Sequence, residues 1–335
     1  MRQKSITLAM GNGGEENRDL IEKLLFKHLG NEILKKAEDA STLEIKNKIA
    51  LTTDSFTISP IFFEGGDIGK LSICGTCNDL AMVGAKPKYL TLSLIIEEGF
   101  NYRDLEKIVR SIKKELKEND GAIVVTGDTK VVSKGSVDKI FINTTGVGEV
   151  LVDGISASNL EVGDQIIVSG DIGRHGASIF AIREGIELES KIKSDCASLW
   201  KIVKALFDAK IKPKAMRDAT RGGVAAVLNE WAKSSSVGIE IEEDLIPVSD
   251  EVKGICEILG FEPTALANEG RFLLAVDKKD SQKTLEILRN FEEAKEANII
   301  GEVSSNYKEK VILKSSWGTK RFLDLPTGEL LPRIC

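Results

Sequence analysis

Carboxylates recur in this sequence where strands or loops are expected to end: Asp39, Asp54, Asp67, Asp79, Asp128 and Asp218. Carboxylates so placed can converge in a crevice and hold Mg2+, which takes few protein oxygens and fills its shell with phosphate and water oxygens. For any single Asp the commoner role is a turn or a helix cap. Three glycine segments accompany them: Gly11-Asn12-Gly13-Gly14, Gly65-Gly66 and Thr220-Arg221-Gly222-Gly223. Glycine lets backbone N–H groups approach a phosphate, and a following helix N-terminus favours the anion. No P-loop, dinucleotide-type GxGxxG unit or GxSxG elbow is present. Lys130 follows Asp128, and Glu269 stands in Ala267-Asn268-Glu269-Gly270; on spacing alone each reads as a surface ion-pair residue. His175, in Gly173-Arg174-His175-Gly176, reads as a helix-entry residue more readily than as a base.

The five cysteines are Cys74, Cys77, Cys196, Cys256 and Cys335. Cys74 and Cys77 have CxxC spacing, but no second CxxC or His pair completes a zinc site. Cys196 and Cys256 fall in apolar patterns read as helical core. Cys335 ends the sequence, after a segment carrying Pro326, Gly328 and Pro332 that favours an extended, flexible arm. Arg333 is placed to offset negative charge beside that thiol. An odd cysteine count with no secretory segment suggests a reducing, cytoplasmic setting.

These residues need a scaffold. With 335 residues, 42% hydrophobic and 29% charged, the chain can build two cored domains. A net charge of −6 makes it a poor general nucleic-acid binder, and no run of about 18 apolar residues would span a membrane. Strand-like and helix-like runs alternate, so the reading is mixed α/β (α+β). Strands are expected at Ile49–Thr53, ending at Asp54, then Leu90–Ile96, Ala122–Thr126, Phe141–Thr144, Gln165–Ser169, Arg271–Val276 and Ile299–Val303. Helices are expected around Leu20–Leu29, Cys77–Val83, Leu105–Leu116, up to Phe180, Leu199–Leu206, Val224–Trp231 and Thr284–Leu288, with Gly65–Gly69 a loop. A cluster of Asp, Gly, Ser and Asn at Gly154–Glu161 suggests domains at 1–154 and 155–324, with a tail at 325–335.

Taken in order, Glu38-Asp39-Ala40, Thr53-Asp54-Ser55, Phe62 to Gly69, Gly75 to Leu80, Thr126 to Lys130, Asp218 to Gly223, Ala267 to Gly270 and the ending Pro332-Arg333-Ile334-Cys335 form a known series. The sequence resembles, over essentially its whole length, the HypE family of hydrogenase-maturation proteins. That family lies in the ATP-binding superfamily of aminoimidazole ribonucleotide synthetase and selenophosphate synthetase. The resemblance implies a two-domain synthetase-like fold: an N-terminal ATP-binding domain pairing its sheet in a homodimer, a C-terminal α/β sandwich, and a flexible C-terminal tail. It implies that Cys335 receives a carbamoyl group from HypF. ATP then drives dehydration of that group to a thiocyanate, and the cyanide passes to iron on the HypC–HypD complex. By resemblance Asp39, Asp54, Asp79 and Asp218 hold Mg2+ and phosphate, with Asp128 beside them. Lys130 and Glu269 handle protons, and Gly11, Gly13, Gly14, Thr220, Arg221 and Asn268 cradle ATP. The usual His-Gly opening of the first glycine motif is Met10-Gly11 here, and Cys77 replaces an apolar residue. The rival readings are a small-substrate synthetase of the selenophosphate type, whose reactive residue near the N-terminus is missing, and a non-catalytic carrier.

Overall fold

The computed structural model describes residues 5–11, 15–36, 40–186, 192–325 and 333–335. Its N-terminal half is built on β1 (Ile49–Phe56), a hairpin of β2 (Phe62–Phe63) and β3 (Gly66–Asp67), then β4 (Ala85–Glu97), β5 (Ile123–Val132) and β6 (Ile140–Val150). The four long strands form one sheet in the order β1-β6-β4-β5, with β4 and β5 parallel and the other neighbours antiparallel. Helical turns α1 (Glu15–Leu20) and α2 (Lys27–Leu29), joined by the π-wound Ile21–Phe26, precede the sheet.

Two helices cover one sheet face, α3 (Ile68–Met82) and α4 (Tyr102–Glu118). α4 follows its apolar spacing: Leu105, Ile108, Val109, Ile112 and Leu116 are buried, and the Asn101 side chain caps it through the Arg103 N–H. α3 is buried almost all round and starts nine residues earlier than its sequence suggested. The Asp67 carboxylate caps it, accepting from the Gly69 and Lys70 amides at 2.8 and 3.0 Å. So Gly65–Gly69, expected as a loop, is a hairpin turn and helix start. Glycine and serine depress intrinsic propensity there, and burial against two neighbours overrides it. Small residues let α3 lie flat on the sheet: a Cβ on Gly146 would stand 2.7 Å from Thr76 Cγ2.

The C-terminal half comprises β7 (Gln165–Val168), α5 (Arg174–Arg183), α6 (Trp200–Asp208), β8 (Ala215–Asp218), α7 (Gly223–Ser234), β9 (Gly238–Glu242), α8 (Asp250–Leu259), β10 (Phe272–Val276), α9 (Ser281–Leu288), β11 (Asn298–Ser304), β12 (Val311–Lys314) and β13 (Lys320–Phe322). The seven strands form a sheet of order β13-β12-β9-β11-β7-β10-β8. Alternate residues face opposite layers. Ile166, Val168, Leu273 and Ala275 pack with Trp231 of α7, while Ile167, Phe272, Leu274 and Val276 pack with Trp200 of α6 and Leu285 of α9.

Three local expectations change. β1 and β5 run through Asp54 and through Gly127–Lys130, so these motifs lie within strands and not at their ends. The Thr and Val around them are good strand formers, and pairing carries the strands past the acidic residues. Cys196 is buried in the irregular segment 192–199 and not in a helix. The arm of 325–335 lies largely outside the described residues, Leu330 and Leu331 included. Its last three residues are docked, with Ile334 inside the N-terminal core.

Candidate functional site

The docked residues 333–335 lie beside 57–59 like an added strand. The Thr57 N–H and hydroxyl donate to the Cys335 carbonyl at 2.9 and 3.3 Å, and the Ser59 N–H donates to the Arg333 carbonyl at 3.3 Å. The Arg333 side chain returns a bond to the Thr57 carbonyl at 2.8 Å, pairs with Asp138 at 2.8 Å and lies over the Phe141 ring. Arg183 bonds the Ser59 and Arg333 carbonyls. This main-chain seating leaves the Cys335 sulfur free to meet the acidic residues.

Burial and the charge of Glu269 push the Cys335 thiol up to about 11, with Arg221 pulling the other way and Asp54 adding to the rise. The offsetting guanidinium is therefore Arg221. Arg333, expected in that role, is spent on Asp138 and Thr57. Glu269 is fully buried, its Oε1 has no hydrogen-bond partner among the described residues, and burial with its acidic neighbours raises it well above the carboxylate range. A carboxyl so held binds its proton more tightly than an exposed one and, once ionised, is a stronger base.

α3 is the wall common to both halves, touching β1 and β6 on one side and β8 on the other. It brings Asp79 beside Asp54 of β1 and Asp218 at the end of β8. Thr52 donates to Asp79 at 2.7 Å and Thr76 to Asp54 at 3.2 Å. Burial, then the charge of Asp79, raises Asp54 to about 6; burial, then Asp79, raises Asp218 to about 8; burial raises Asp79. Mutually repelling, half-dried carboxylates suit a cation. Among the described residues no three such side chains close on one point. Asp39 lies outside the described residues, as do Gly13 and Gly14.

Thr220 and Arg221 open α7 above Asp218. Gly222 and Gly223 have φ of +78° and +59°, and a Cβ on Gly223 would sit 2.5 Å from the Thr264 carbonyl. The Asn268 side chain is tied into the chain itself. Its side chain accepts from the Gly173 N–H at 2.7 Å and donates to the Ala219 and Leu266 carbonyls at 2.8 and 3.1 Å, pinning three segments around the site.

A second group stands apart on β5. Lys130 and Asp128 are exposed and paired at 2.7 Å, and the pairing holds Asp128 below its usual range. Gly11 packs on the same strand, where a Cβ would lie 2.6 Å from the Val131 nitrogen. Cavities of about 140 and 220 Å3 flank β5, lined by Ile21, Phe26, Leu34 and Gly127, with Asp128 in one and Ser41 in the other. Cys74 and Cys77 are buried inside α3, Cys74 lies 3.6 Å from Glu115, and burial lifts Cys77 above the ordinary thiol range.

Sequence reasoning missed Thr57, Arg183, Ser194 and Asp195. Thr57 contacts the tail through backbone and hydroxyl, a role with no residue signature. Asp195 accepts from the Glu269 and Gly270 amides at 3.1 and 2.9 Å, and no motif marked it.

Comparison with known proteins adds the following. Residues 37–150 match the family described as AIR synthase related protein, N-terminal domain, and residues 161–314 match its C-terminal domain. A putative hydrogenase expression/formation protein of Methanocaldococcus jannaschii is 47% identical, covering 98% of this chain and 99% of the relative. The carbamoyl dehydratase HypE of Escherichia coli is 43% identical, covering 99% of each. A crystal structure of hydrogenase maturation protein HypE in complex with ATP superposes with a TM-score of 0.95 at 40% identity, covering 98% of this chain and 99% of that one. The HypE of a HypE–HypF complex structure superposes with a TM-score of 0.80 at 46% identity, covering 92% and 99%.

Proposed function

Since the chain belongs to the HypE family of hydrogenase-maturation proteins, we propose that it is an ATP-dependent carbamoyl dehydratase acting on its own Cys335. The carrying observation is that Cys335 is held inside the chain that also supplies Glu269 and the acidic trio, with Arg221 beside the thiol.

An amide oxygen leaves poorly, and transfer of the ATP γ-phosphoryl to it makes a good leaving group. The S-carbamoyl group then loses that oxygen as phosphate and both nitrogen protons, leaving S–C≡N. ATP becomes ADP, and the sum is loss of one water from the carbamoyl group. Glu269, raised by burial, takes a nitrogen proton. Ile334, buried beside the sulfur, helps keep water from the activated group. Asp54, Asp79 and Asp218, with Asp39, would hold Mg2+, which supplies charge neutralisation at the phosphates. Thr220 and Arg221, with Gly11, Gly13 and Gly14, would flank the nucleotide. Lys130 and Asp128, exposed on β5, would join the site only through what covers that strand.

A HypF-type carbamoyl donor and a HypC–HypD-type iron acceptor are the partners this chemistry needs. The open edges β1 and β5, with Ile49 and Leu51 of β1 exposed and Ile95 exposed on the face of β4, suit pairing with a second copy. Segments 1–154 and 155–324 read as the two domains, and five unpaired cysteines suit a reducing, cytoplasmic setting. No helix among the described residues is long and apolar enough to cross a membrane. Intact-protein mass spectrometry with the carbamoyl donor and Mg·ATP tests the reading. It should show gain of one carbamoyl at Cys335, then loss of one water; a carbamoylated protein that keeps its water would refute it.

A further inference from the structure

Among the buried titratable side chains that the carbamoyl chemistry leaves unused, one hydrogen-bonds to the docked tail. His175, second residue of α5, has no exposed surface, and the Phe63 ring packs edge-on against it with centroids 5.5 Å apart. Its Nε2 lies 2.8 Å from the Ile334 carbonyl and its Nδ1 lies 2.8 Å from Ser194 Oγ. A carbonyl only accepts, so Nε2 carries the hydrogen. Burial favours the neutral ring, so Nδ1 accepts the Ser194 hydroxyl proton. Ser194 Oγ in turn accepts from the Cys196 N–H at 3.1 Å. The bonds thus run in one direction from the 194–196 segment, through the imidazole, to the main chain one residue before Cys335.

The same segment holds Glu269. One oxygen of Asp195 accepts from the main-chain N–H of His175 at 3.0 Å, and the other accepts from the Glu269 and Gly270 amides. The Ala197 N–H reaches the Glu269 carbonyl at 3.3 Å, and the Ser194 N–H reaches Glu64 of the N-terminal half at 2.9 Å. Packing leaves the segment no slack. A Cβ on Gly270 would sit 1.9 Å from the Asp195 carbonyl, and one on Gly65 would sit 2.6 Å from that of Ser194. Base and tail are therefore referenced to a single short stretch of chain.

We propose that His175 is a positioning residue for the dehydration: it grips the Ile334 carbonyl and, through Ser194 and Asp195, sets the spacing between the Cys335 sulfur and Glu269. It touches neither the sulfur nor Glu269's carboxyl, so its action is through the tail. Loading and delivery at Cys335 require this bond to open, which makes it the hold that the tail must release. The proposal rests on the reading of Cys335 as the group-bearing thiol.

The test uses full-length protein. Because Cys74, Cys77, Cys196 and Cys256 are buried, iodoacetamide labelling of the native protein reports undocking of Cys335 whether or not any reaction occurs. His175→Phe keeps the bulk and removes the N–H; His175→Gln restores an N–H donor. The expected result for His175→Phe is labelling at least about tenfold faster and water loss from the carbamoylated form at least about tenfold slower, with ATP affinity within about twofold of wild type. His175→Gln should recover most of both rates. Ser194→Ala, a small change that frees Nδ1, should move both rates the same way by about threefold, and it carries the test if His175→Phe does not fold. Wild-type labelling in His175→Phe, a glutamine variant as impaired as the phenylalanine one, or loss of ATP affinity in step with both rates would overturn the proposal. Should wild-type protein itself never lose water, the reaction reading fails, and the labelling arm alone decides the grip.

Discussion

The acidic residues around Cys335 and those on β5 carry similar side chains in opposite circumstances. Glu269, Asp54, Asp79 and Asp218 are drawn from β1, α3, the end of β8 and the loop before β10, and all are raised, with burial the first cause. Asp128 and Lys130 share one strand, stand in solvent and neutralise each other. The first group is poised by the fold of a single chain. The second is a surface whose chemistry waits for whatever covers it. Mutations should separate the two: on the inner side they change chemistry and pH behaviour together, and on the outer side they change turnover with little effect on stability.

The largest effect belongs to Cys335→Ala, which should end carbamoyl uptake and product formation while ATP still binds; intact mass and nucleotide titration read the two. Glu269→Gln follows, with water loss slowed about 10²–10³-fold and the carbamoylated form accumulating. Wild-type water loss in that variant would remove the distinction between a working inner group and an inert one. Lys130→Ala should slow turnover by about tenfold or more while moving stability by no more than about 1 kcal/mol, since exposed pairs contribute little. A large loss of stability there would make the β5 pair structural and erase the contrast.

The smallest effect is the most diagnostic of burial. Carboxyls raised in the fold contribute stability that is complete below the ordinary carboxylate range and is lost as pH rises through their folded values. The melting temperature of nucleotide-free protein should therefore fall between pH 5 and pH 8.5, through about 6 for Asp54 and about 8 for Asp218. Asp218→Asn should flatten that fall and raise the midpoint at pH 8 by a few degrees, yet weaken Mg·ATP use. Adding Mg2+ and ATP to wild type should restore the lost stability at high pH. A melting temperature independent of pH in the wild type would show the trio to be already compensated.

Much of this organisation could be read from residue types and spacing, and the failures have physical reasons. The α4 stripe, the glycine opening of α7 and the strand ending at Val168 follow local rules. α3 was half seen because its interior is glycine- and serine-bearing and its helicity comes from burial, which a local pattern does not reveal. Asp67 had the same outward pattern as Asp54, yet it caps a helix; only the fold distinguishes a cap from a ligand. Asp54, Asp79, Asp218 and Glu269 act on one another through their charges, and Glu269 and Asp54 act on Cys335, but nothing local indicated that Asp128 and Lys130 would be exposed and paired with each other. Asp195 and Ser194 left no trace because their partners are backbone amides and a ring nitrogen distant in sequence.

The tail is seated by its carbonyls, with Thr57, Ser59, Arg183 and His175 reading main chain and not sulfur. Such a berth is blind to its cargo. The same carbonyl bonds would hold thiol, thiocarboxamide or nitrile, so on the proposed reading the direction of traffic falls to the nucleotide and to the acceptor.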